Sequence, residues 1–154
     1  MPNLYPEGYE NKVITEADIA SEKAIGYRNG IAFNYETGDF KRDGMNKILD
    51  SDGIQSWKDW CINCLQTERY KHLAYSTDFG IELDSAMKAN SHEEAETILT
   101  RQITEALMAD PYKRTDYVSD ITYLWTAQDT VSVDVTIHGV PDVTIDITAY
   151  LTRK

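Results

Sequence analysis

Val131-Ser-Val-Asp-Val-Thr-Ile-His138, followed after Gly139-Val-Pro-Asp142 by Val143-Thr-Ile-Asp-Ile-Thr-Ala-Tyr-Leu151, decides the fold class. Val131, Val133, Val135 and Ile137 alternate with Ser132, Asp134, Thr136 and His138; Val143, Ile145, Ile147, Ala149 and Leu151 alternate with Thr144, Asp146, Thr148 and Tyr150. Successive side chains of a strand point to opposite faces, so each run predicts a half-buried strand. Tyr117 to Thr126 precedes them as a further strand, with turns at Ala127-Gln-Asp129 and Gly139 to Asp142. Together they predict a three-stranded antiparallel meander, whose apolar face needs a second layer over it.

Two helical patterns upstream supply that layer. Asp52-Gly-Ile-Gln55 resembles a capping box, and beyond it Ile54, Trp57, Trp60, Cys61, Cys64 and Leu65 fall within an arc of about 140° on a helix. Ser91-His-Glu-Glu94 repeats the signature, and Ala95, Ile98, Leu99, Ile103, Ala106 and Leu107 form a second apolar face that Asp110-Pro111 ends. Gln102 lies inside that face, where its amide needs hydrogen-bond partners or an interface; an interface is the favoured reading. A short helix is expected within Ile81 to Ala89, after an aromatic-rich, turn-like stretch from Tyr70 to Gly80. Ile31, Phe33 and Tyr35 alternate with Ala32, Asn34 and Glu36 ahead of a Thr37-Gly38-Asp39 turn, which predicts a short β-hairpin. The whole is an α+β fold: helices packed on a C-terminal three-stranded antiparallel meander, with a short N-terminal β-hairpin. Residues 1–25, with two prolines and five acidic residues, read as an arm or mobile tail, with a short apolar run at Val13 and Ile14 that could dock it on a partner, and 26–154 as a single domain.

At 154 residues the chain can bury roughly 70% of the surface its unfolded form exposes, without disulfides or metals. Fifteen Lys and Arg against 26 Asp and Glu give a net charge of −11, a field that repels phosphate backbones and anionic lipids, so neither nucleic acid nor membrane is an expected partner. No window approaches a membrane span, the first ten residues lack a signal-peptide layout, and the two cysteines suit a reducing compartment. The protein is therefore expected to be made and kept in cytoplasm.

Cys61-Ile-Asn-Cys64 has the spacing of a redox or metal motif but sits late in a helix, where the dipole disfavours thiolates. Zinc needs two more ligands, and His72 is the only nearby histidine. Two core cysteines are the better reading. His72, His92 and His138 accompany no nucleophile motif, and the glycines form no phosphate loop. Glu68, Asp78 and Glu82 cluster in the aromatic-rich segment and are the one candidate set for glycoside hydrolysis. No cofactor, metal or catalytic residue is assigned.

Leu65-Gln-Thr-Glu-Arg-Tyr70, then Tyr75-Ser-Thr-Asp-Phe-Gly80, then a capped helix running into Ala106-Leu-Met-Ala-Asp-Pro-Tyr112 and a meander, follow an order that resembles a known family. They are similar to the baseplate wedge proteins, or sheath initiators, of contractile phage tails, a family long labelled lysozyme-like. The resemblance is to the branch found in prophages and phage-tail-like bacteriocins of Gram-positive bacteria. The match runs from about Phe33 to Ile137. In that family the helix ends in Glu-Pro-Arg, a motif linked to docking on the wedge helical bundle. Asp110, Pro111 and Tyr112 stand there in this sequence, with Lys113 and Arg114 following. Thr67, Arg69 and Gly80 occupy the family's Thr, Arg and Gly positions.

The resemblance implies a structural baseplate component that links the wedge to the first sheath ring by β-strand augmentation and initiates sheath assembly. Its partners would be the tail sheath protein and baseplate wedge proteins, with tail tube or hub proteins as further neighbours, in a particle assembled in the bacterial cytoplasm. Thr67, Arg69, Gly80, Asp110, Pro111 and Tyr112 are the expected wedge contacts. The C-terminal strand is the natural acceptor, and Val143, Ile145, Ile147 and Tyr150 are the expected sheath contacts. An acidic adaptor module on the same fold is the alternative, and a muralytic enzyme the third reading.

Overall fold

The computed structural model describes residues 27–140 and 142–153; the arm predicted over residues 1–25 lies outside them. The chain begins with four two-residue strands, β1 (Gly30–Ile31), β2 (Phe33–Asn34), β3 (Asp39–Phe40) and β4 (Asp50–Ser51). The predicted hairpin is β2 against β3, closed by Gly38 at φ 71°, a left-handed conformation that glycine adopts without strain. β1 pairs with β4, and the backbones of Ala32, Lys41 and Leu49 bond one another in turn, so three chain segments meet at one point.

Helix α1 (Gly53–Gln66) starts where the capping signature placed it: Asp52 Oδ1 accepts from Gln55 N at 2.8 Å. The Gln55 amide does not reach back; it donates to the buried Asp59. Trp57, Cys61, Cys64 and Leu65 are buried as the periodicity requires, but Ile54 is exposed, a departure from the predicted arc. The first turn is covered at Gly53 instead, where a Cβ would lie 2.1 Å from the Tyr27 carbonyl oxygen. The short helix is α2 (Leu83–Met87). Helix α3 (His92–Met108) is capped by Ser91, whose Oγ accepts from Glu94 N, and it ends before Asp110-Pro111.

Strands β5 (Thr115–Ala127), β6 (Thr130–Gly139) and β7 (Val143–Thr152) form the antiparallel meander in that order. Both runs of alternating side chains obey their pattern: Val131, Val133, Val135, Ile137, Ile145, Ile147, Ala149 and Leu151 are all buried. Helix α1 lies against β7 and α3 against β5, so the α+β assignment holds as two layers. Trp57 fills the space over Gly139, where a Cβ would meet its ring at 2.5 Å. The wide β5 aromatics reach α3, with Tyr123 Oη 2.7 Å from Thr100 Oγ1 and Trp125 Nε1 donating to Glu96 at 2.8 Å.

Gln102 corrects the sequence reading. It is buried within the protein, its Oε1 accepting from Glu82 N at 3.1 Å and its Nε2 donating to Ser85 Oγ at 3.4 Å. The amide satisfies a free donor at the start of α2, so α3 and α2 are joined and no interface is needed. Leu99 has no exposed surface at the centre of this layer. Leu99→Ala is expected to lower the unfolding free energy by about 2–5 kcal/mol, read by urea denaturation.

Candidate functional site

Two surface regions carry the residues singled out in the sequence. In the first, β7 has a strand neighbour on one side only among the described residues. Arg153 N donates to Asp129 O at 3.0 Å, continuing the register that pairs Thr152 with Thr130. Bonded and non-bonded pairs alternate along an antiparallel ladder, so Leu151, Ala149, Ile147, Ile145 and Val143 exchange their backbone bonds with β6. The peptide groups of Thr144, Asp146, Thr148, Tyr150 and Thr152 point the other way, to the open edge. The register from Gly139↔Val143 to Thr130↔Thr152 is unbroken.

The opposite edge differs. Against β6, β5 shifts register between Thr115 and Tyr117, Ser119 and Ile121, and Trp125 and Ala127, with Asp120 at φ 45°. Such bulges bend a strand and break the even row of donors and acceptors that another strand needs. β7 is the regular edge.

Of the four expected sheath contacts, Ile145 and Ile147 are buried, Val143 is half-buried, and Tyr150 is 69% exposed on the outer face. Thr144, Asp146, Thr148 and Thr152 share that outer face and the open edge. Sequence reasoning passed over these four, since the apolar side chains drew it; the polar half of the same alternation marked them. Thr136 Oγ1 donates to Asp146 at 2.7 Å and Thr148 Oγ1 to Asp134 at 2.5 Å, fixing both carboxylates across β6 and β7. Alongside the end of β7, a groove of about 720 Å³ is lined by Leu65, Ile81, Leu83, Tyr150 and Arg153 among others.

The second region gathers the six expected wedge contacts. Thr67 O accepts from Ile81 N, Arg69 N donates to Ile81 O, and Arg69 Nε donates to Gly80 O, each at 3.0 Å. These bonds clasp the two ends of the loop between Glu68 and Ile81. Gly80 is at φ 92°, and a Cβ there would stand 2.5 Å from Thr67 O, so the clasp requires glycine. Asp110 and Arg114 form a buried bidentate pair at 2.8 and 2.9 Å, and Asp110 Oδ2 also accepts from Arg114 N. Arg114 thus pairs with the acid of the Asp-Pro-Tyr segment from inside the fold.

A chain of ring and cation contacts joins the two clusters. Arg28 lies 5.8 Å from the Tyr112 ring, and Arg114 lies 5.1 Å from Tyr112 and 5.9 Å from Trp60. Trp60 meets Phe79 at 5.8 Å, Phe79 meets Tyr75 at 4.6 Å, and Tyr75 meets His72 at 5.7 Å. Pro111, Tyr112 and Tyr75 are exposed at the surface of this stripe, whereas Asp110 and Gly80 are buried.

Of the remaining candidates, the two cysteines, Glu68 and His138 have structural surroundings that account for them. Burial pushes the Cys64 thiol up to about 11 and raises Cys61 as well, the reverse of a reactive pair. Glu68 is ion-paired with Lys71 at 2.5 Å. His138 lies between Ser119 and Thr144, 2.9 and 3.2 Å from their hydroxyl oxygens, and stacks on Tyr117 on the outer sheet face. Among the described residues no three His, Cys, Asp or Glu side chains converge as metal ligands, and no helix is long and apolar enough to cross a membrane.

A two-layer α+β module whose distinctive groups lie along a strand edge and a surface stripe has the make-up of an assembly component. The family model of contractile injection system sheath initiators matches residues 29–140, and the chain belongs to that family. The family is the one that the order of motifs pointed to. The chain matches no curated protein.

Two substitutions test the second region. Gly80→Ala is expected to destabilise the fold by about 1–3 kcal/mol from backbone strain. Asp110→Ala leaves the Arg114 guanidinium buried without its partner and is expected to lose about 3–5 kcal/mol, both read by urea unfolding.

Proposed function

We propose that this sheath initiator, acting as one domain over 26–154, links the baseplate wedge to the first sheath ring by taking a strand of the sheath protein along β7. The supporting observation is the contrast between the sheet's edges: β5 is bulged at three places and β7 at none. An added strand gains main-chain hydrogen bonds for affinity and alternating side-chain positions for register. The row offered to it belongs to Thr144, Asp146, Thr148, Tyr150 and Thr152. Val143, Ile145 and Ile147 hold that row in place through their bonds to β6 and their packing on the core.

The wedge side is the aromatic and cationic stripe. Tyr112, Pro111 and Tyr75 make the contact, while Thr67, Arg69, Gly80 and Asp110 set the loop and the helix end that present them. Tail tube or hub proteins are further neighbours, and assembly takes place in the bacterial host cytoplasm. The role is structural, without a cofactor and without a catalytic step.

A proline on β7 separates the edge from the ladder. At Ile147 it would remove a bond to β6, whereas at Thr148 it removes only an outward-facing N–H, the position an edge strand tolerates. Thr148→Pro is expected to stay folded by circular dichroism yet reduce sheath polymerisation on baseplates by at least about tenfold, the loss of a central ladder bond to the partner. Thr148→Ala, which loses the hydroxyl and methyl but keeps the backbone N–H, controls for the contact with Asp134. Normal sheath growth on baseplates carrying the folded proline variant would refute the strand-acceptor role.

A further inference from the structure

The meander from Thr115 to Thr152 contains six aspartates and not one lysine or arginine. That segment carries −6 of the chain's net charge of −11, with Asp116, Asp120, Asp134 and Asp146 in the strands and Asp129 and Asp142 in the turns between them. The polar outer face of β6 and β7 carries Asp134 and Asp146, whose carboxylates are held by Thr148 and Thr136. Asp146 is itself one of the residues whose peptide groups face the open edge, and Thr148 draws the Asp134 carboxylate toward that edge from the neighbouring strand. Tyr150, two pairs further along, presents an exposed ring. The cations near the end of β7 are already engaged, Arg153 with Asp84 at 2.8 Å and Lys71 with Glu68. The adjoining groove has a mixed lining, with Glu68, Lys71 and Asp84 beside the half-buried Leu83, while Leu65 and Ile81 are buried beneath it.

We infer that the occupant of the β7 edge is a strand of another chain that alternates lysine or arginine on its outer face with apolar residues on its inner face. This rests on the strand-accepting reading above and names the chemistry of the accepted strand. A cation opposite Asp146 forms a cross-strand ion pair, its neighbour two residues along reaches Tyr150 or Asp134, and the apolar half extends the inner face beside Val143, Ile145 and Ile147. Opposite charge also speeds encounter and disfavours strands of the wrong sign. The chain's own residues 1–26, with five acidic residues against two lysines, are a poor complement to this sheet.

The test appends a ten-residue donor strand to Lys154 of the full chain through a flexible Gly-Ser linker of about 30 residues, which spans roughly 30 Å and permits either strand orientation. One donor alternates Val with Lys and the other Val with Glu. Amide hydrogen exchange at Thr144, Asp146, Thr148 and Tyr150, followed by NMR, reads occupancy of the edge. At low salt the lysine donor is expected to slow exchange at these amides about tenfold more than the glutamate donor, with the gap closing near 0.5 M salt. The double variant Asp134→Lys, Asp146→Lys should reverse the preference. Equal protection by both donors would overturn the charge inference and leave strand acceptance standing. Protection by neither would overturn both. Amides already protected in the parent chain and released by deleting residues 1–26 would assign the edge to the chain's own segment, and overturn both as well.

Discussion

An unbroken antiparallel ladder ties each residue's side-chain direction to its hydrogen-bonding direction, and the sheet of this protein depends on that coupling. On β7, every second residue buries its side chain and bonds β6; the residues between them show both side chain and peptide groups to the outside. The apolar pattern that drives the strand onto the core therefore also fixes which peptide groups are left over. A single inserted residue would interchange the two sets beyond it. β5 contains such insertions and is accordingly irregular, whereas β7 contains none.

The sheet was legible in the sequence because half-burial writes itself as alternation, and the helix starts were legible because Asp52 and Ser91 cap in the ordinary way. Less legible were features decided by packing between segments. Ile54 satisfies the helical period, yet the neighbouring backbone covers Gly53 instead. Gln102 interrupts an apolar face, and only the fold brings the start of α2 within its reach. The bulges of β5 leave a trace in Asp116 and Asp120, which break its alternation, but that trace does not say where the register shifts.

The family signature is distributed in the same manner. The Asp-Pro-Tyr segment lacks the arginine that follows proline in the wider family, although Lys113 and Arg114 come immediately after it. In the fold, Arg114 returns to Asp110 and lies against both Tyr112 and Trp60. Thr67, Arg69 and Gly80 similarly act on one another before they act on anything else, closing the loop that carries Tyr75. Motif residues here divide into those that shape a surface and those that form it, a division that spacing does not reveal.

The direction of β7 also has a mechanical meaning. For a strand laid along it, a pull parallel to the strands loads every bond of the shared ladder at once, whereas a pull across them opens the bonds one after another. An attachment of this geometry is stiff along the strand axis and compliant to peeling. A joint that must hold while its neighbours rotate past it is therefore best oriented with β7 along the line of force.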